Sequence, residues 1–264
     1  MNILDTIVAS KRKEVEDRKR RQPLDLLERK PHFFRPTFSL AQFLKDPSKT
    51  GIIAEFKRKS PSKGIINGTA DVREVTAAYA QSGASAISIL TDEEFFGGSS
   101  QDLMAARSLN IPLLRKDFII DPYQIFEAKA IGADVILLIA ACLKPEETRN
   151  LAMLAAEMQL SVLLELHDEE ELGHVNDFTP IIGINNRNLK TFEVNIEKSL
   201  EMASRLPSDA IKVAESGIDK IATIQLFKEN GFDGFLIGEQ FMKAADPAKA
   251  FKAFVEELKV NKVV

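Results

Sequence analysis

The sequence predicts an α/β fold, a closed (βα)8 TIM barrel carrying an N-terminal helical extension, and three observations predict it. Short apolar runs recur eight times from residue 51 onward, stretches with helical spacing separate them, and 264 residues suit one such barrel. An open doubly wound sheet is the competing layout. It usually needs fewer strands or a second domain.

The runs fall at 52–56, 86–90, 111–114, 135–139, 162–166, 181–184, 211–214 and 234–237. They are short, rich in Val, Ile and Leu, and mostly free of polar alternation, which is how strands buried on both faces of a parallel sheet read. Parallel neighbours require crossovers, and the intervening segments supply helices. In residues 71–82, for example, Val72, Val75, Ala78 and Tyr79 recur at helical spacing. Gly83, Gly132 and Gly231 stand just before the second, fourth and eighth strands, where helix C-cap glycines belong. Asp121 and Pro122 read as N-cap and N1 of the third crossover helix. The eight units occupy residues 51–258, and the whole of 1–264 reads as a single domain.

Residues 1–50 stand outside the repeat. Ile3, Leu4, Ile7, Val8 and Val15 form an apolar stripe beside Lys11, Arg12, Lys13, Lys19, Arg20 and Arg21. Residues 1–35 carry a net charge of +4 and the remainder −8. Two readings stay open: a solvated amphipathic helix packed on the barrel, or a cover over one barrel mouth that adds positive potential for an anionic substrate.

Composition excludes several classes. A net charge of −4 argues against non-specific nucleic-acid binding. No apolar stretch reaches the length of a membrane span, and Asp5, Lys11, Arg12 and Lys13 interrupt the region where a signal peptide would be apolar, so a cytoplasmic location is expected. The single Cys142 cannot form an internal disulfide, and His32, His167 and His174 lack metal-ligand spacing, so no metal is expected. Neither GxGxxG nor GxxxxGK occurs, which leaves dinucleotide and P-loop nucleotide binding without support. No apolar stripe is left over once the helices are assigned, so a monomer is expected.

In a barrel the active site lies at the C-terminal strand ends. Here those ends are polar: Glu55 and Lys57 on the first, Arg115-Lys116-Asp117 on the third, Glu165 on the fifth, Asn185-Asn186-Arg187 on the sixth, Glu215-Ser216-Gly217 on the seventh and Gly238-Glu239 on the eighth. Alternation turns Glu55 with Lys57, and Asn185 with Arg187, the same way. Buried charges are costly unless paired or facing a wet pocket, so Glu55, Lys57, Lys116 and Glu165 converging from three strands point to acid/base chemistry. The loops after the last two strands are the usual phosphate grip. The basic loop 58–64 reads either as a cover for an anion or as a mobile solvated loop, and Phe96 and Phe118 either as a slot for a flat ring or as a patch on the core rim. Cys142 lies in an apolar setting that makes its thiol inert. His167 is expected on the strand face opposite Glu165, satisfied or exposed and outside the chemistry.

These residues carry a resemblance. Ile53-Ala54-Glu55-Phe56-Lys57-Arg58-Lys59-Ser60-Pro61-Ser62-Lys63-Gly64 resembles the first-strand motif of the indole-3-glycerol phosphate synthases. Leu114-Arg115-Lys116-Asp117-Phe118-Ile119, Leu163-Leu164-Glu165, Gly183-Ile184-Asn185-Asn186-Arg187-Asn188-Leu189, Ala214-Glu215-Ser216-Gly217-Ile218 and Phe235-Leu236-Ile237-Gly238-Glu239 resemble the motifs of strands 3, 5, 6, 7 and 8. The first and sixth motifs are specific, while the last two recur among related phosphate-binding barrels.

The resemblance implies closure of a pyrrole ring, converting 1-(2-carboxyphenylamino)-1-deoxyribulose 5-phosphate to indole-3-glycerol phosphate, carbon dioxide and water, without a cofactor. Lys116 is implied as the principal general acid and Glu165 as an acid/base partner. Glu55 and Asn185 match residues that bind the substrate hydroxyl and assist proton movement, and Lys57 matches an anion-binding lysine that some mechanisms also use as an acid. Arg187 and Ser60 match positions orienting the anthranilate carboxylate and nearby groups, and Phe96 and Phe118 match the aromatic pocket walls. Glu215, Ser216, Gly217, Leu236, Gly238 and Glu239 complete the substrate-binding set, with backbone amides as phosphate donors. Position 239 is serine in some relatives. In the family the N-terminal extension helps cover the site, and the short stretch after the last strand leaves no room for the second barrel that some members carry.

The implied partner is an anionic phosphorylated small molecule, with no nucleic acid and no membrane. The nearest rival is another phosphate-sugar barrel such as a phosphoribosylanthranilate isomerase, but that chemistry relies on a cysteine and an aspartate at strand ends, and Cys142 is not so placed. A silent phosphate-binding barrel would lack Lys116 or Glu165.

Overall fold

The computed structural model describes residues 3–188 and 193–260. Eight parallel strands close into a barrel: β1 (Ile52–Phe56), β2 (Ala86–Leu90), β3 (Leu113–Lys116), β4 (Val135–Ile139), β5 (Ser161–Leu166), β6 (Ile181–Asn185), β7 (Ile211–Glu215) and β8 (Gly234–Ile237). Closure is made where Ile52 and Ala54 of β1 register with Phe235 and Ile237 of β8.

The third strand lies two residues later than its apolar run suggests. Pro112 has no N–H for the ladder, so it serves only as an acceptor, from Ile87 N–H at 3.0 Å, and pairing runs on to Lys116 opposite Leu90. The sixth and seventh strands likewise run on through Asn185 and Glu215, which register with each other. Polar strand ends are therefore part of the ladder.

Crossovers are α4 (Val72–Gln81), α5 (Ser100–Ala106), α6 (Tyr123–Ile131), α7 (Pro145–Glu157), α8 (Ile196–Ala203) and α9 (Ile221–Glu229), with α10 (Glu239–Met242) and α11 (Pro247–Val260) after β8. The fifth unit departs from the expected repeat, because β5 and β6 are joined by a 3-10 helix, Glu169–His174. Gly173 weakens any longer helix there. The expected caps form. Asp121 Oδ1 accepts from Tyr123 N–H at 2.9 Å with Pro122 already helical, and Gly83, Gly132 and Gly231 take positive φ.

Side-chain alternation divides the core in two. Ile52, Ala54 and Phe56 join the layer between strands and helices, whereas Ile53, Leu114, Leu163, Ile181 and Val213 fill the barrel interior. Two residues along from Ile53, Leu114, Leu163 and Val213 stand Glu55, Lys116, Glu165 and Glu215. The interior thus changes from aliphatic to charged within one layer.

The extension closes both ends. Its helix α3 (Leu40–Lys45) sends Leu40 and Leu44 into the N-terminal end, where Leu44 packs against Gly234 at the start of β8. Helix α1 (Ile3–Arg21) lies across the other end, with Ile3, Leu4 and Ile7 in the wall of the mouth cavity, and α2 (Leu24–Glu28) follows it. Of the two readings of residues 1–50, the cover is the one seen, but Lys11 adds no free positive potential. Ile7, Lys11 and Val15 are the buried residues of α1, at i, i+4 and i+8, so Lys11 sits within the apolar stripe rather than on its solvated flank.

Candidate active site

A cavity of about 410 Å³ opens at the C-terminal strand ends. The catalytic candidates Glu55, Lys57, Lys116, Glu165 and Asn185 line it, as do Ser60, Phe96, Phe118, Arg187, Glu215, Ser216, Gly217, Leu236, Gly238 and Glu239. The strand-6 motif runs on to Leu189, which lies outside the described residues.

Lys116 is the hub. Its Nζ donates to Glu165 Oε2 at 2.8 Å and to Glu215 Oε2 at 3.4 Å, so one ammonium bridges carboxylates from β5 and β7. Burial alone would lower the lysine pKa, but attraction to Glu165, Glu215 and Glu55 more than offsets it and holds the amine protonated. Glu165 Oε1 accepts from Asn185 Nδ2 at 2.9 Å. Burial resists its ionisation, yet Lys116 keeps the Glu165 carboxyl well below the usual carboxylate range. Glu215 goes the other way, since burial and repulsion from Glu165 push it up to about 8 against the pull of Lys116. At neutral pH the centre therefore holds an ammonium, a carboxylate and a neutral acid.

Two glycines make room for two of these carboxyls. A Cβ on Gly183 would lie 2.1 Å from Glu215 Oε1, and one on Gly238 would lie 2.7 Å from both Cβ and Oε1 of Glu55. Glu55 is further held by Lys57 Nζ, 2.7 Å from its Oε1, as strand alternation anticipates.

Above this centre the loop after β1 folds as a two-stranded hairpin, Lys59–Ser60 with Gly64–Ile65. It is pinned by Arg58, which pairs with Asp102 and stacks on Phe56 at 4.7 Å, and Ser60 is buried at the cavity edge. Phe96 and Phe118 pack against each other with ring centroids 6.0 Å apart and planes at 40°, both in the cavity lining. Asp92 sets the first, its Oδ1 accepting from Phe95 and Phe96 N–H at 2.8 and 3.2 Å. Asp117 Oδ1 accepts from Phe118 N–H at 2.9 Å.

The far side is formed by the turns after β7 and β8. Ser216 and Gly217 both take φ of 67°, unusual for serine, and Asn186 Nδ2 fixes the turn by donating to Ser216 O at 2.7 Å. Gly238 precedes α10, whose first residue, Glu239, has carboxylate oxygens 3.8 Å from Arg187 Nη2 and 3.9 Å from Lys63 Nζ. Lys243, one turn beyond Glu239, also faces the cavity. Sequence reasoning missed it, although the i+4 spacing was a usable signal.

His167 corrects an expectation. It follows directly on the strand and is buried on the same side as Glu165, two residues back, with its Nε2 3.0 Å from Glu165 Oε1. Cys142 agrees with expectation, since burial, then Glu165 and Glu171, push its thiol up to about 12.

These shifts set a pH dependence of stability. Burial disfavours the His167 cation, but Glu165 and Glu171 raise its pKa from 6.5 to about 10, while Glu215 rises from 4.5 to about 8. Both groups bind protons more tightly folded than unfolded. The His167 contribution is complete below 6.5 and lost as pH rises through about 10, and the cost of charging Glu215 grows from 4.5 to about 8. Melting temperature is expected to fall from pH 5 to pH 9, and Glu215→Gln to flatten the lower half of that slope, at roughly 2–4 °C per kcal/mol. Calorimetry across this range showing equal slopes for both proteins would contradict the assignment.

The family model described as indole-3-glycerol phosphate synthase matches residues 4–254. A Bacteroides thetaiotaomicron protein named indole-3-glycerol phosphate synthase is 47% identical over 258 residues, covering 97% of this chain and 99% of its own. One of the same name from Bordetella pertussis is 44% identical, covering 93% and 96%. Among solved structures, a 3-hexulose-6-phosphate synthase superposes with a TM-score of 0.59 at 15% identity over 80% of this chain and 99% of that one, which shows the shared fold.

Proposed function

The chain belongs to the indole-3-glycerol phosphate synthase family and closes the indole ring of tryptophan biosynthesis with loss of carbon dioxide; from that premise we propose that Lys116 is its general acid and Glu165 its general base. The observation carrying this assignment is one ammonium held between Glu165 and Glu215 at the cavity floor.

The substrate phosphate lies at the Ser216-Gly217 and Gly238-Glu239 turns, and the anthranilate ring lies against Phe96 and Phe118. That places the ribulose carbonyl over Lys116. The ring carbon bearing the carboxylate attacks the carbonyl carbon as Lys116 gives its proton to the carbonyl oxygen. Carbon dioxide then leaves and returns its electron pair to the ring. The new hydroxyl takes a second proton, from Lys57, and departs as water, and Glu165 takes the substrate proton whose loss completes the aromatic pyrrole. Glu55 and Asn185 hold the sugar hydroxyls and Lys57 adds positive charge, while Arg187 and Ser60 orient the substrate carboxylate. Glu215 and Leu236 line the floor beneath the sugar.

We also propose that the extension and barrel work as one domain, in a cytoplasmic monomer. Among the exposed large apolar side chains Met104, Met153 and Leu226 lie on separate helices, and Leu24 and Leu26 share the short α2, a scatter that supports the monomer. No helix among the described residues is long and apolar enough to cross a membrane.

The test is to mix the protein with the carboxyphenylamino-deoxyribulose phosphate and follow indole fluorescence, against a low background because the chain has no tryptophan. Arg187→Ala is expected to raise KM about tenfold or more with a smaller change in kcat, as loss of uniform binding does. A pure kcat loss would move Arg187 into the chemistry.

A further inference from the structure

Around Glu165 the charges are unevenly supplied. Lys116 approaches Oε2, and Oε1 meets the neutral Asn185 amide and the His167 ring. Lys116 gives up its charge when it protonates the carbonyl, leaving Glu165 beside Glu215 and Glu55. Among the described residues, the cationic partner still in reach of Glu165 is then His167.

The ring is built to stay charged. It is buried, with Nε2 3.0 Å from Glu165 Oε1 and Nδ1 3.7 Å from Glu171 Oε2. Neither nitrogen makes a well-aligned hydrogen bond, so these are ion-pair contacts, which favour the imidazolium. Glu171, on the 3-10 helix after β5, also accepts His167 backbone N–H at 2.6 Å, so the short crossover delivers a carboxylate behind the ring. The other titratable groups around it are Lys116 from β3, Cys142 just after β4, Glu215 from β7 and neighbouring Asp168, which pairs with Lys198.

We propose that His167 is a positioning residue for the ring-closing reaction, an imidazolium between Glu165 and Glu171 that fixes the Glu165 carboxylate and keeps it ionised after Lys116 has spent its proton. Glu165 then accepts a substrate proton instead of one from solvent. The inference rests on the reading of Glu165 as general base.

The sign is fixed. A base must be unprotonated, so activity is lost as pH falls through the Glu165 pKa, and removing a neighbouring cation moves that acid limb upward. His167→Leu is expected to shift the acid limb of kcat up by about one pH unit or more and to lower kcat about tenfold at neutral pH. His167→Asn, which is polar but carries no charge, is expected to show the same shifted limb as His167→Leu. With three histidines in the chain, nuclear magnetic resonance of the wild-type imidazoles reads the charge directly. His167 should remain protonated to about pH 10 and titrate several units lower in Glu165→Gln. A folded His167→Leu with the wild-type pH profile, or a wild-type His167 titrating near 6.5, overturns the inference. Full turnover in Glu165→Gln instead overturns the premise, whatever His167 does.

Discussion

Lys116→Ala is expected to lower kcat by about 10²–10⁴, the range for loss of a positioned proton donor, and to leave substrate binding within about tenfold. The asymmetry follows from the geometry. Lys116 lies on the floor between Glu165 and Glu215, whereas the Ser216-Gly217 turn, Gly238, Arg187 and the Phe96–Phe118 pair form other walls. Removing the ammonium takes away the proton donor and leaves Glu165 with the His167 contact as its cationic neighbour. One substitution therefore removes the acid and weakens the placement of the base. Lys116→Arg separates the parts, because guanidinium keeps the charge but does not release a proton in this range. If Lys116→Arg turns over within tenfold of wild type, Lys116 acts through its field and another group supplies the proton. Single-turnover fluorescence with saturating enzyme distinguishes that result from slow product release.

The barrel was legible because a parallel strand buried on both faces leaves an apolar run that little else produces. The polar strand ends were legible for the converse reason, since Glu55, Lys116, Glu165 and Glu215 occupy interior parity where an aliphatic residue would otherwise pack. Two features escaped. His167 sits past the last strand residue, and the carboxylate that stabilises it comes from Glu171 on a crossover expected to be an α-helix. Lys11 reads as one base among many in Lys11-Arg12-Lys13, and only the partners it meets across the fold distinguish it. Periodicity records which face of a helix is apolar, but a buried lysine on that face becomes intelligible only with Asp92 and Asp117, more than 80 residues away, in place.

Lys11→Met is expected to destabilise the fold by about 3–5 kcal/mol, the cost of leaving buried carboxylates unpaired, and to weaken substrate binding from a distance. Lys11 is 1% exposed, with Nζ 2.7 Å from Glu14, 2.9 Å from Asp92 and 2.9 Å from Asp117. The pairing continues from Asp117 to Arg115 at 3.1 Å, Arg115 to Glu127 at 2.6 Å, Glu127 to Arg18 at 3.1 Å and Arg18 back to Glu14 at 2.5 Å, a closed ring joining α1 to β3 and α6. Burial opposes the lysine charge, but Asp117, Asp92 and Glu14 together hold it. Without Lys11, Asp117 keeps Arg115 and Thr91, whereas Asp92 keeps only the Phe95 and Phe96 amides. A buried carboxylate in that position must take up a proton or turn toward water, and turning releases Phe96 from its place opposite Phe118. KM is therefore expected to rise more than kcat falls. Melting should drop by about 10 °C, at roughly 2–4 °C per kcal/mol. Adding Asp92→Asn removes the stranded charge and keeps an oxygen for the two amides, so the double variant should regain both stability and KM in part. A single variant as stable as wild type would mean that α1 is held by Ile7 and Val15 alone, and recovery of stability without KM would uncouple the charge ring from the aromatic wall.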